Sequence, residues 1–184
     1  GTVTFDVDNS SPNRAAFLEE FMEIEAANWK GESGSAIKMS SELVNWYTTL
    51  VARLEDSGLL EWQTMRINED YAAANLCIRS PRKVFLWKLG YKDSSSKSSP
   101  GNLLLEHVIS AESERGELES LELLTSYSWY DKWNMQARSL QSLTLFRRGP
   151  KGRLLHAASR LREWLKSRRK TRDDRPLRHS GPAG

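Results

Sequence analysis

An α+β domain, with helices packed on a mixed, mostly antiparallel sheet, is the fold class this sequence predicts. Three observations carry it. Apolar residues recur at helical spacing up to about residue 58, then give way to short runs of strand composition over 59–91. Those runs are separated by "NED" and "SPRK", both suited to hairpin turns, so they read as a three-strand antiparallel meander. Finally, strand 84–91, helix 101–115 and strand 118–124 follow in the order of a right-handed β-α-β crossover, which would make two neighbouring strands parallel.

Each element has a local reason. "TVTFDV" alternates and reads as a strand. "SSPNRAAFLEEFMEIEAANWKG" reads as a helix with Ser11 as N-cap and Pro12 at the first helical position. Its apolar face is Phe17, Phe21, Ile24 and Trp29, and "GESGS" ends it. "SSELVNWYTTLVARLEDSG" is a second helix, with Leu43, Trp46, Tyr47, Leu50 and Leu54 on one stripe and Gly58 just past its end. The meander follows, in "LLEWQTMRI", "YAAANLCIR" and "VFLWKLGY". A serine-rich loop at 94–99 leads into helix 101–115, which Gly116 closes. "LESLELL" is a strand, "SYSWYDKWNMQA" a short helix and "QSLTLFRR" a closing strand. "RLLHAASRLREWLKSRRK" is amphipathic, with Leu154, Ala158, Leu161 and Leu165 on one stripe. The expected organisation is a domain over 1–148, a basic amphipathic helix over 149–170 and a disordered, charged tail over 171–184.

Composition narrows the function. The chain has 184 residues, 39% hydrophobic and 28% charged, as expected of a globular domain. Seven tryptophans call for an extensive core or an aromatic-lined cleft. Residues 147–178 hold 13 Lys/Arg against 3 Asp/Glu, a balance of +10; since the whole chain is +3, the remainder sums to −7. The basic character therefore belongs to the C-terminal segment. Three readings of that segment stay open: an apolar stripe docked on the domain, a helix lying on an anionic membrane surface, or a nucleic-acid contact, for which no recognition motif speaks. Cys77 is the single cysteine, so no internal disulfide forms, which suits a reducing cytoplasm. No apolar run approaches a membrane span and no signal peptide is visible. Neither H-E-x-x-H nor paired Cys/His spacing occurs, so no metal is expected, and no G-x-S-x-G nucleophile motif occurs.

The loop "SSPGNLLL" at 98–105 has two readings. One is a flexible connector ahead of a helix. The other is a phosphate cradle: a helix N-terminus offers unpaired N–H groups and partial positive charge, Gly101 permits close approach, and Ser98 and Ser99 add hydroxyls.

Several motifs, in order, resemble the GNAT acyltransferase fold, and within it the CelD-like, BioF2-like branch associated with polysaccharide biosynthesis. They are "NWKGESGSA" at 28–36, "FLWKLGYKD" at 85–93, "SSPGNLLLEHVI" at 98–109 and "LELLTSYSWYDKW" at 121–133. The sequence departs from that branch at Asp131, where the branch has lysine, and at Ser126, where it has glycine. Members of the branch often carry a preceding GNAT-like half related to FemX-type transferases, so residues 1–148 would correspond to a C-terminal half.

The resemblance implies a CoA-dependent N- or O-acyltransferase, with acetyl-CoA or another acyl-CoA as co-substrate and a sugar-linked or small-molecule amine or hydroxyl as acceptor. It implies that Ser98, Ser99, Gly101, Asn102 and Leu103 hold the CoA pyrophosphate. It points to Glu122 as general base and Tyr130 as the acid that protonates the leaving thiolate. Trp29 and Lys30 would line the acceptor site, Lys132 would contact an acidic sugar or phosphate, and Trp87 and Tyr91, at alternate positions of one strand (87, 89, 91), would share a face of the cleft. Two alternatives remain: a non-catalytic GNAT-like scaffold, favoured by the departures at 126 and 131, and a FemX-type aminoacyl transferase, which the basic tail suits.

Overall fold

A computed structural model describes residues 1–124, 133–139 and 144–173, with side chains to 162. It divides into two units, Gly1–Trp133 and Asn134–Gly184. Among the described residues the first unit holds one five-stranded sheet in the order β1-β2-β3-β4-β5. The strands are β1 (Val3–Asp8), β2 (Leu60–Ile67), β3 (Asp70–Ser80), β4 (Lys83–Tyr91) and β5 (Ser120–Leu123). The first four pair antiparallel, while β4 and β5 pair parallel. The meander and the crossover are thus as expected from the sequence.

The helices cover both faces. On one lie α1 (Leu18–Ala26), the single turn α2 (Trp29–Glu32) and α3 (Ser41–Asp56). Phe21 and Ile24 of α1 and Val51 of α3 are fully buried there, against Leu60 and Trp62 of β2 and Ala74 and Leu76 of β3. On the other face lies α4 (Pro100–Arg115), whose Leu104, Leu105 and Val108 meet Met65, Ala73, Cys77, Val84 and Leu86. The far end of α4 is pinned through Glu112, which is ion-paired with Arg79 of β3; Arg79 is also bound to the buried Glu61 of β2. That network fixes the axis of α4 and so the position of its N-terminus.

Three expectations need correction. Ser11 and Pro12 do not start a helix. Asp8 Oδ1 instead accepts from the N–H groups of Ser10 and Ser11, a local turn that competes with capping. A 3-10 turn at Arg14–Phe17 follows before α1 begins at Leu18. Trp29 does not belong to the apolar face of α1; it opens the separate turn α2 and is 52% exposed. Thr144–Arg147 form no strand, and Leu145 is 83% exposed, because strand composition needs a neighbouring strand to bond with. The rest of that expected strand, residues 141–143, lies outside the described residues, as do most of the short helix expected at 126–137 and the tail from 174 on.

The second unit contains α5 (Pro150–Asp173), three residues longer than the expected basic helix at its C-terminal end. Within it the rings of Phe146 and His156 stand 5.2 Å apart. No helix among the described residues is long and apolar enough to cross a membrane.

Candidate active site

Among the described residues β4 has a parallel neighbour over only part of its length, and the site begins there. Pairing with β5 runs only from Lys83↔Ser120 to Leu86↔Leu123, yet β4 continues to Tyr91. The break coincides with an irregularity against β3: Leu76 faces Lys88 and Cys77 faces Leu86, so Trp87 is the extra residue of a β-bulge. A bulge re-aims side chains. Val84, Leu86, Leu89 and Tyr91 pack on the α4 face, whereas Trp87 packs on the α1/α3 face. The ring of Trp87 stacks on that of Trp46 of α3, with centroids 6.2 Å apart, and Lys88 Nζ reaches Glu25 of α1 at 3.0 Å. The expectation that Trp87 and Tyr91 share a face is therefore overturned: the extra residue shifts the alternation by one.

On the α4 face, Leu89 and Tyr91 line a cavity of about 220 Å³ together with Ser96, Ser99, Pro100, Gly101 and Asn102. Four expected residues, Ser99, Gly101, Asn102 and Tyr91, are thus brought together at the start of α4; Ser98 and Leu103 lie beside this cavity in sequence without lining it. Ser99 caps the helix with left-handed backbone (φ 49°) and no side-chain hydrogen bond, and Pro100 takes the first helical position. The Ser99 carbonyl accepts from Asn102 and Leu103 N–H. No acidic residue occupies the first turn, so the partial positive charge of the helix end is not neutralised there. A Cβ on Gly101 would lie 3.1 Å from Leu89 Cδ2, narrowing the cavity. A pyrophosphate suits such a place through the helix dipole, the serine hydroxyls and a glycine where a side chain would intrude.

The opposite face carries the charged groups. Glu25 is fully buried in α1, and its Oε2 accepts from Ile37 N–H at 2.9 Å. Its Oε1 lies 3.0 Å from Lys88 Nζ and 3.4 Å from Lys30 Nζ. Burial pushes the Lys30 ammonium below the usual lysine pKa; Glu25 opposes that shift and Lys88 adds to it. Lys30 Nζ also donates to the Leu89 carbonyl at 2.8 Å, and Asn28 Nδ2 donates to the Tyr91 carbonyl at 3.0 Å. Asn28 Oδ1 caps α2 by accepting from Lys30 N–H at 2.9 Å. Gly90 makes this approach of α1 possible: a Cβ there would lie 3.0 Å from Glu25 Cα.

Glu122 stands on β5 opposite Phe85 of β4, and Ser120 Oγ donates to its Oε1 at 2.9 Å. Leu121 and Leu123 pack on the α4 face, so alternation puts Glu122 on the α1/α3 face, the one Trp87 occupies. Tyr130 and Lys132 lie outside the described residues. As site residues, Asn28, Glu25, Lys88 and Trp46 escaped the sequence reading, which placed Trp46 only on the apolar stripe of a helix. Two of them carried a signal: Asn28 precedes a helical turn as a preferred capping residue, and Glu25 falls four residues after Phe21, a carboxylate on an apolar face.

Residues 1–132 match the acetyltransferase (GNAT) domain. The chain belongs to the GNAT acetyltransferase family. It is accordingly an acetyltransferase domain of a family whose members take the acyl group from acetyl-CoA. Among curated proteins none matches in sequence. Several solved GNAT-like structures share the fold. A possible acetyltransferase from Clostridium difficile 630 is 10% identical, with a TM-score of 0.58 over 80% of this chain and 99% of its own. A GCN5-related N-acetyltransferase from Ralstonia eutropha JMP134 is 13% identical, with a TM-score of 0.57 over 78% and 99%. A predicted acetyltransferase solved with acetyl-CoA, from Clostridium acetobutylicum, is 15% identical, with a TM-score of 0.53 over 78% and 96%. No group of three or more His, Cys, Asp or Glu among the described residues is arranged to hold a metal ion.

Proposed function

We propose that this GNAT domain transfers an acetyl group to the amine or hydroxyl of a sugar-linked or small-molecule acceptor, as a CelD-like, BioF2-like enzyme of polysaccharide biosynthesis. The observation that carries the transfer is the cavity at the N-terminus of α4, lined by Leu89 and Tyr91 of β4 beyond its described pairing with β5. The first turn of α4, with Ser99, Gly101 and Asn102, holds the CoA pyrophosphate on one face of the sheet. The acyl end reaches the gap between the strands, so the acceptor approaches from the other face. There Glu122 takes the proton of the attacking amine or hydroxyl, and backbone N–H groups of β4 stabilise the charge that develops on the carbonyl oxygen. The stacked Trp46–Trp87 pair offers an aromatic shelf that suits a sugar ring. Tyr130 is the proposed acid, Trp29 and Lys132 further acceptor contacts, and residues 1–148 the catalytic domain. The basic helix α5 suits an anionic membrane surface, which would make the enzyme peripheral to the membrane on its cytoplasmic side.

A thermal-shift titration with acetyl-CoA and CoA tests the donor, because a ligand of the native state must raise Tm. Release of free thiol against a panel of amino sugars and amines tests the acceptor. Glu122→Gln keeps the shape of the side chain and should lower turnover by about 10²–10⁴ while leaving CoA affinity in place. A variant as fast as wild type would remove Glu122 from the role of base.

A further inference from the structure

Two ammonium groups share one carboxylate on the α1/α3 face. Lys30 Nζ and Lys88 Nζ lie 3.4 Å and 3.0 Å from the same oxygen, Glu25 Oε1. The other oxygen of Glu25 accepts from Ile37 N–H at 2.9 Å. Among the described residues no second carboxylate lies within ion-pair distance of either lysine. The cluster therefore keeps one positive charge in excess, in a half-buried place where an unmatched charge is costly. The two lysines are not equivalent. Lys30 is engaged by Glu25 and by the Leu89 carbonyl. Lys88 makes its ion pair and lies over the Tyr47 ring, 5.5 Å from the centroid. An ammonium has three N–H donors, so Lys88 has donors to spare.

That charge stands beside an open aromatic surface. The Tyr47 ring meets Trp46 edge-on at 4.8 Å, and Trp46 stacks on Trp87 at 6.2 Å. Trp46 is 47% exposed, so the surface is open to a ligand. The bulge is what brings the two together: it puts the successive residues Trp87 and Lys88 on one face, where regular alternation would part them.

We propose that Lys88 and the Trp46–Trp87 shelf select an acidic sugar as acceptor, its ring lying on the indoles and its carboxylate or phosphate taking the spare donors of Lys88. This rests on the acetyl-transfer reading above and deepens it by naming the charge of the substrate. Glu122, the proposed base, stands opposite Phe85, three residues before Lys88. At ~3.3 Å per residue that is about 10 Å of strand, room for one sugar ring between the reacting amine or hydroxyl and the anionic group. The aromatic faces seat the ring; the compact charge of a lysine accepts either anion.

The test titrates the full chain with D-glucose, D-glucuronate and D-glucose 6-phosphate, which share a ring and differ in charge. The indole N–H resonances of Trp46 and Trp87 should move with one or both acids at concentrations about tenfold below those needed with glucose, the strength of one charge-assisted hydrogen bond. The tighter of the two acids tells carboxylate from phosphate. Lys88→Met should erase the difference and Lys88→Arg should keep it; a loss of packing alone would weaken glucose as much as the acids. Suppose the three sugars act equally, or none acts, or Lys88→Met keeps the preference, while acetyl-CoA still raises Tm. The acidic-acceptor inference is then wrong and the acetyltransferase reading stands. If acetyl-CoA leaves Tm unchanged, the acetyl-transfer reading itself fails and takes this inference with it.

Discussion

Gly90→Ala is the sharpest test of how the site is assembled. The added methyl would lie 3.0 Å from Glu25 Cα and 3.1 Å from both Glu25 Cβ and Glu25 N. These are mostly backbone atoms of α1, which cannot rotate aside. The helix itself must move, yet Phe21 and Ile24 seat it in the core with no exposure. Overpacking of this kind costs about 1–3 kcal/mol. Alanine also restricts the unfolded chain, which returns about 0.4–1 kcal/mol. The net loss is on the order of 1–2 kcal/mol, a fall in Tm of about 4–8 °C for a unit of this size. Moving α1 also carries Glu25, Lys30 and Asn28 away from β4, so their hydrogen bonds and ion pairs with that strand should weaken together with stability. Gly101→Ala is the control: its Cβ meets only the end of the Leu89 side chain, at 3.1 Å, which can change rotamer. It should cost less than about 1 kcal/mol in stability. Urea denaturation of the two variants decides. If Gly90→Ala is as stable as wild type, or Gly101→Ala is the worse of the two, the close packing of α1 on β4 has been misjudged.

Two further outcomes follow from the same geometry. Gly101→Asp places a carboxylate at the start of α4; against a phosphate about 6 Å away, at an effective dielectric constant of about 40, the repulsion is ~1.4 kcal/mol, so calorimetry should show CoA binding weakened about tenfold in a protein that still folds. Unchanged affinity would refute the phosphate cradle. Burial under α4 pushes the Cys77 thiol well above its ordinary pKa of 9.0. The unfolded chain ionises first as pH rises, so stability should fall above about pH 9 and be unaffected by this group below it. A thiol reagent at pH 8 should label Cys77 only on unfolding, and rapid stoichiometric labelling of the native protein would contradict that burial.

Much of the architecture was legible in local sequence, for local reasons. The change from helical spacing to short strand-forming runs placed α1, α3 and the meander, Pro100 and Gly116 bounded α4, and "NED" and "SPRK" marked the hairpins. The cavity-lining Ser99, Gly101 and Asn102 were legible because a helix start is written in adjacent residues. The other half of the site was not. Which face Trp87 takes depends on a one-residue offset between β3 and β4, and a bulge is a property of two strands in register, invisible in either alone. The grip of Asn28 and Lys30 on β4 spans 63 and 59 residues of sequence and depends on how closely α1 settles on Gly90. Spacing along the chain specifies what lies within a turn or a strand. Contacts between distant segments are decided only when burial brings those segments together, because there the cost of leaving a carbonyl or an ammonium unpaired selects its partner.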